Sequence, residues 1–248
     1  MLHIEQLSKK YKNNIWAVQD FNLSIYKEEL VAMVGPNGAG KTSIINCLLG
    51  VISPTSGTIQ LDTYPNQSKK FKQLIAYVPD DLILPEALTG TEYLDFVTSM
   101  YQYEDPEKQS SLIELFDIKG AMSEPIETYS HGMKKKIQLI AAFMLNSKLI
   151  ILDEPFRGLD VEAIIMTKKL MRKYLQKGGS ILLSTHDLKA AEYLAQRMVI
   201  LSKGKIVAEG TIEELKVENQ CTDMEDLFMK VSMLRDRSAQ FEKIIENF

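Results

Sequence analysis

The sequence predicts an α/β fold with an antiparallel β-subdomain at its start and a helical subdomain inserted in its middle. Three patterns carry that expectation. Leu2-His3-Ile4-Glu5-Gln6-Leu7 and residues 17–25 alternate apolar and polar, the period of a half-buried antiparallel sheet. Lys148-Leu149-Ile150-Ile151-Leu152 and Ser180-Ile181-Leu182-Leu183-Ser184 are apolar runs suited to parallel strands buried on both faces. From about residue 86 to 147 strand runs give way to helical spacing, as in residues 92–97 and 112–116.

The remaining elements follow in order. Leu30-Val31-Ala32-Met33-Val34 suits a strand, and residues 42–49 suit a helix that stops at Gly50. Residues 57–61 and 75–78 are short strands, the first after a Pro/Ser/Gly turn. A helix is expected over 134–145 and another over 164–176, closed by Gly178-Gly179. Residues 198–201 and 206–209 flank Ser202-Lys203-Gly204-Lys205, a hairpin signal. After Thr222 the tail reads as helical, with Thr222-Asp223-Met224-Glu225 as a capping box. Leu227, Val231, Leu234, Phe241, Ile245 and Phe248 fall on one stripe, interrupted by Ser238. That stripe suits packing on its own domain, with a partner or second copy as the alternative. The expected division is a domain over 1–215, with its core in 1–85 and 148–215 and helices in 86–147, then a helical tail over 216–248.

Composition bounds the function. The chain has 248 residues, 45% hydrophobic and 25% charged, ordinary for a globular protein. A net charge of −4 argues against a nucleic-acid coat, and no nucleic-acid partner is expected. Cys47 and Cys221 lie far apart and read as reduced thiols, with no metal-ligand spacing of Cys or His. Residues 1–5 lack the apolar run of a signal peptide, and no run of about 18 apolar residues offers a membrane span.

One stretch specifies chemistry. Gly35-Pro36-Asn37-Gly38-Ala39-Gly40-Lys41-Thr42 fits the phosphate-cradling pattern G-x-x-x-x-G-K-[ST], set between a strand and a helix. Glycines let successive N–H groups turn inward toward anionic oxygens, and the helix N-terminus adds partial positive charge. Lys41 would reach the β- and γ-phosphates, and Thr42 would offer its hydroxyl to Mg²⁺; Ser43 follows in the same first turn. The strand before Pro155 ends in Asp153 and Glu154, at the edge where α/β folds bind ligands. Asp153 would hold Mg²⁺ and Glu154 would polarise the attacking water. His186 ends the next apolar strand, placed to bond a γ-phosphate.

Tyr129-Ser130-His131-Gly132-Met133 heads the helix of 134–145, and here the chain resembles the ATP-binding-cassette (ABC) ATPases, whose signature is LSGGQ. Ser130 and Gly132 match; Tyr129, His131 and Met133 depart from it. Gly158-Leu159-Asp160 matches that family's D-loop, and the order of all these pieces fits from about residue 2 to 210. The resemblance implies a P-loop NTPase core, ATP and Mg²⁺ as ligands, and a head-to-tail dimer. In that dimer Ser130, His131, Gly132 and Met133 would close over ATP held by the other subunit. It also implies that Tyr11 stacks on adenine, with Trp16 as the competitor, and that Asp80 stands where the family carries a glutamine touching metal and water. The lysines Lys134, Lys135 and Lys136 are expected on a solvated face.

An acidic residue at 80 followed by Leu88-Thr89-Gly90-Thr91-Glu92-Tyr93-Leu94 is similar to ABC-2-type exporter ATPases, and Ser130–Lys134 to the Ecs-type branch. The implied activity is that of an ATPase subunit at the cytoplasmic face of the membrane, held there by a separate transmembrane permease. Its dimer partner would be a second copy or a different ABC ATPase. The alternatives are a soluble cassette serving cluster assembly, or a regulator that hydrolyses little, for which His131 and Asp80 are the motive. A small-molecule kinase has no use for the signature, D-loop and histidine together.

Overall fold

The structure, a computed structural model, describes residues 1–12 and 14–232. In chain order its first elements are β1 (Leu2–Lys10), β2 (Trp16–Ile25), β3 (Leu30–Val34), α1 (Lys41–Leu48), β4 (Ser56–Leu61), β5 (Tyr64–Pro65), α2 (Lys69–Gln73), β6 (Ile75–Val78), α3 (Gly90–Tyr101) and α4 (Pro106–Leu115). Then come α5 (His131–Met144), β7 (Leu149–Asp153), α6 (Val161–Gln176), β8 (Ser180–Thr185), α7 (Leu188–Leu194), β9 (Arg197–Ser202), β10 (Lys205–Gly210), α8 (Ile212–Asn219) and α9 (Met224–Val231). The described residues divide into two compact units, one of residues 1–25, 30–66 and 184–232, the other of 26–29 and 67–183.

In the first unit β1 lies between β2 and β4, antiparallel to both, with β5 beyond β4. Ile4 sits opposite Leu23 on one side and Ile59 on the other, so the alternation puts these buried residues on a common face. The same unit carries the row β10–β9–β3. β9 and β10 form the expected hairpin, and Lys203 and Gly204 at its tip have φ of +49° and +79°. Two consecutive left-handed residues match the twist of a tight hairpin. β3 runs parallel to β9 and all five of its residues are buried.

Ala32, Val34, Met198 and Ile200 from this row pack with Leu215, Met224 and Leu227. The start of the tail therefore covers its own unit. α8 passes through the 215/216 boundary without a break. The capping-box expectation at Thr222 is off by one residue. Asp223 is the cap, its carboxylate accepting the Asp226 N–H at 2.8 Å. Aspartate caps as well as threonine does, and Glu225 then stands one position short of closing a box. The stripe positions Leu234, Ser238, Phe241, Ile245 and Phe248 lie outside the described residues.

In the second unit β6 and β7 are parallel, with Ile75 opposite Leu149 and Val78 opposite Leu152, and β8 lies on the other side of β7. Residues 86–147 contain α3, α4, α5 and two short 3₁₀ turns. α3 opens with a full capping box, the Thr89 hydroxyl accepting the Glu92 N–H and the Glu92 carboxylate accepting the Thr89 N–H. α5 starts at His131, three residues earlier than expected, because Ser130 caps it. The solvated-lysine expectation fails. Lys135 is fully buried, Lys134 pairs with Glu86 at 2.6 Å and Lys136 with Asp160 at 2.9 Å.

Candidate functional site

The loop after β3 is locked from outside by main chain. A Cβ on Gly35 would come within 2.6 Å of the Leu201 carbonyl oxygen. One on Gly40, whose φ is +109°, would come within 2.4 Å of the Ala17 carbonyl oxygen. The Ala39 N–H donates to Pro36 O at 3.1 Å and the Gly204 N–H to Ala39 O at 3.0 Å, which fastens the loop to the β9–β10 hairpin. Neighbouring Gly38 meets nothing within 4 Å. The cradle is thus tight behind and open in front.

What sets the cradle apart is the way its helix opens. α2 to α9 each open with a side chain accepting a first-turn N–H: Ser68, Thr89, Asp105, Ser130, Asp160, Asp187, Thr211 and Asp223. α1 opens on Gly40, with no side-chain cap and no acidic residue in its first turn. With no side chain capping them, its first-turn N–H groups suit an anion. Lys41 lies over the same loop, its ammonium donating to Gly35 O and, at 3.4 Å, to Pro36 O. Thr42 is exposed at the helix start.

Tyr11 joins this group. Its hydroxyl lies 3.3 Å from Ser43 Oγ, and its ring is 45% exposed with the Lys9 ammonium 5.4 Å from its centroid. Trp16 is exposed to a similar degree but stacks under Lys10, 5.0 Å away. The hydroxyl contact favours Tyr11 as the aromatic for a base. Tyr11→Ala is expected to weaken ATP binding about tenfold, the worth of one stacked base, while Trp16→Ala stays within about twofold. Titration with a fluorescent ATP analogue separates them, and the reverse order would assign the role to Trp16. His186 is exposed just past β8, where the Asp187 N–H donates to Thr185 Oγ at 3.1 Å and Asp187 caps α7.

In the second unit Asp153 ends β7 and is buried. Glu154 follows with φ of +46°, a left-handed position rare for a glutamate, and its carbonyl accepts the Arg157 N–H at 3.2 Å. Burial raises the Tyr77 phenol far above its usual range, and the Asp153, Asp81 and Asp80 carboxylates raise it further. Burial pulls the Lys135 ammonium down, opposed by Asp80 and Asp153. The Asp80 carboxylate is held by Arg157 Nη1, at 2.9 and 3.2 Å to its two oxygens.

The signature residues sit at the exposed start of α5. Ser130 Oγ accepts the Met133 N–H at 3.3 Å. The His131 ring lies on Gly158, where a Cβ would come within 2.2 Å of its Cδ2, and a Cβ on Gly132 would meet Gly158 O at 3.0 Å. Asp160 caps α6 and pairs with Lys136. The Ala163 N–H, and after it Lys136, hold the Asp160 carboxyl below the usual range. Reading the sequence missed Lys135, Gln138 and Arg157. The signal for the first two was their place with Leu139 and Ala142 on one helical stripe, all buried.

The ABC transporter family matches residues 18–157, more than half the chain. The chain belongs to the ABC transporter family. Within it, the Bacillus subtilis ABC-type transporter ATP-binding protein EcsA is 30% identical over 94% of this chain and 96% of its own. That agrees with the Ecs-type resemblance in the signature. Three other bacterial ATP-binding proteins are longer, and the chain spans 74%, 66% and 62% of them. A solved ATP-binding subunit of an ABC transporter superposes with a TM-score of 0.89 at 30% identity, covering 94% of this chain and 99% of that one. An ABC cassette solved as a dimer with ADP and Pi shares the fold, with a TM-score of 0.77 at 21% identity over 86% and 99% of the two chains. The protein is thus an ABC-type ATPase whose P-loop NTPase core has an antiparallel sheet and a helical part, as the sequence led us to expect. Among the described residues no helix of this ABC ATPase is long and apolar enough to cross a membrane.

Proposed function

We propose that this ABC ATPase powers a separate membrane permease of a bacterial exporter, cycling through a head-to-tail dimer with a second copy or a related cassette. The observation that carries the nucleotide half is the uncapped, acid-free start of α1 behind a glycine loop that main chain holds shut from outside. In this reading residues 35–43 take the phosphates, Lys41 neutralises the β- and γ-groups, and Tyr11 takes adenine. Glu154 is the general base, and His186 bonds the γ-phosphate.

The oxygen donors suit Mg²⁺. Among the described residues no three His, Cys, Asp or Glu gather as a metal cage, which fits an ion held by phosphates and one or two protein oxygens. Thr42 and Asp153 would supply those oxygens. Asp80 would act through water, since its carboxylate keeps acceptor sites beyond those used by Arg157. When bound, the ion supplies charge neutralisation.

Ser130, His131, Gly132 and Met133 would serve the partner's ATP, with Asp160 reaching toward the dimer interface. Residues 86–147 are proposed as the helical subdomain and 216–248 as a tail. The permease would dock near Asp80 and the helices, where Ile83 is 85% exposed and Phe96 and Met100 stand one turn apart on α3, both exposed. That docking would hold the protein at the cytoplasmic face. The test is to express the chain with its native neighbours, solubilise the membranes, pull it down and identify the co-purifying proteins by mass spectrometry. A multi-spanning protein at stoichiometric yield is expected. A soluble scaffold instead would overturn the permease reading.

A further inference from the structure

We infer that Arg157 is a positioning residue for the catalytic carboxylate, holding the turn that carries Glu154 through its ion pair with Asp80. The inference rests on the reading of Glu154 as the base. Glu154 and Arg157 are the two ends of one turn, closed by the Arg157 N–H on Glu154 O. Glu154 is left-handed, and a non-glycine residue stays in that region only where its surroundings fix it. The fixing contact at the far end of the turn is the Arg157 guanidinium on both oxygens of Asp80.

Asp80 is in turn anchored by its main chain. Lys135 Nζ donates to Pro79 O at 2.6 Å and Asp80 O at 3.2 Å, and Gln138 Nε2 donates to Asp81 O at 3.1 Å. Two side chains three apart on α5 thus grip three consecutive carbonyls. α5 is also the helix whose first turn holds the signature, with Ser130 as its cap. The brace therefore runs from the signature helix, through residues 79–81, to the turn of Glu154. A fully buried ammonium is costly unless bonded, so a long-stemmed lysine kept at 135 favours a fixed position for these carbonyls.

The last link is not there for stability. The Arg157 side chain is 65% exposed, and exposed ion pairs contribute little to folding. Its loss should act on the aim of Glu154 and leave ATP binding alone. A small misplacement of a catalytic group costs rate and not ground-state affinity.

The test uses the full chain and reads kcat and KM for ATP separately, with thermal unfolding as the control for folding. Arg157→Gln is expected to lower kcat about tenfold with KM within about twofold and an unchanged unfolding midpoint. Arg157→Lys should recover most of kcat, since a single nitrogen makes both contacts to Asp80. The double variant Asp80→Asn/Arg157→Gln should be no slower than Asp80→Asn alone, because Arg157 then has no carboxylate to act through. Parental kcat in Arg157→Gln, beside an inactive Glu154→Gln, would overturn the brace while leaving the base in place. So would a double variant slowed, relative to Asp80→Asn, by the same factor as Arg157→Gln on its own. Parental turnover in Glu154→Gln would remove the base, and the inference would fall with it.

Discussion

Glu154→Gln is expected to cut steady-state ATP turnover by about a thousandfold while ATP still binds, the usual scale for loss of a general base. The amide has the size of the carboxylate and leaves the turn intact, so the left-handed residue and the Arg157 N–H contact on its carbonyl persist. What disappears is the acceptor for a proton from the attacking water. Binding of ATP and closure of the dimer need no such acceptor, so the variant should accumulate as an ATP-bound dimer. Sedimentation with and without MgATP reads this directly, with a shift to dimer in the variant and little in the parent. Turnover at the parental rate would assign the base elsewhere.

The second large effect belongs to Gly40. Gly40→Ala is expected to weaken ATP binding at least about a hundredfold. Two costs act together. The residue has φ of +109°, a region that L side chains rarely adopt, and the new methyl would lie 2.4 Å from the Ala17 carbonyl oxygen. The obstacle is main chain of β2 and has no rotamer to change. The loop must shift instead, and with it the N–H groups that open α1. Gly38 supplies the control. It is also left-handed, at +79°, but nothing lies within 4 Å of a Cβ there. Gly38→Ala therefore incurs only backbone strain, about 1–2 kcal/mol, and should keep most of its affinity. Equal losses in the two variants would mean that strain alone governs the loop. Isothermal titration with ATP on both proteins decides the matter.

What the sequence made legible was local. The glycine loop, the apolar run of β7 and the hairpin around Gly204 each declare themselves within a few residues, because turn chemistry and side-chain period act at that range. Even there the boundaries moved. α5 starts at His131 because a serine hydroxyl captured the Met133 N–H, and α9 starts one residue late because Asp223 capped it in preference to Thr222.

The parts that were not legible depend on partners distant in the chain. Three consecutive lysines look alike on paper, yet Lys135 is buried against the carbonyls of residues 79 and 80 while its neighbours find Glu86 and Asp160. Asp80 stood out as an odd acid, but the arginine that answers it is 77 positions away. Tyr11 and Trp16 were separable only by a hydroxyl contact to Ser43. Local pattern names the groups proposed to meet the nucleotide. The scaffolding behind them emerges only from tertiary packing.

The imidazole of His131 resting on the bare backbone of Gly158 has a consequence for how this sequence can drift. The signature loop and the segment after Glu154 are, at these two positions, one inheritable pair. At 158 a side chain meets two obstacles: a backbone φ of +77°, which L residues rarely adopt, and the exposed imidazole, which would have to swing aside. Losing the imidazole removes only the second of these, so position 158 stays costly to change whichever of the two residues is altered first.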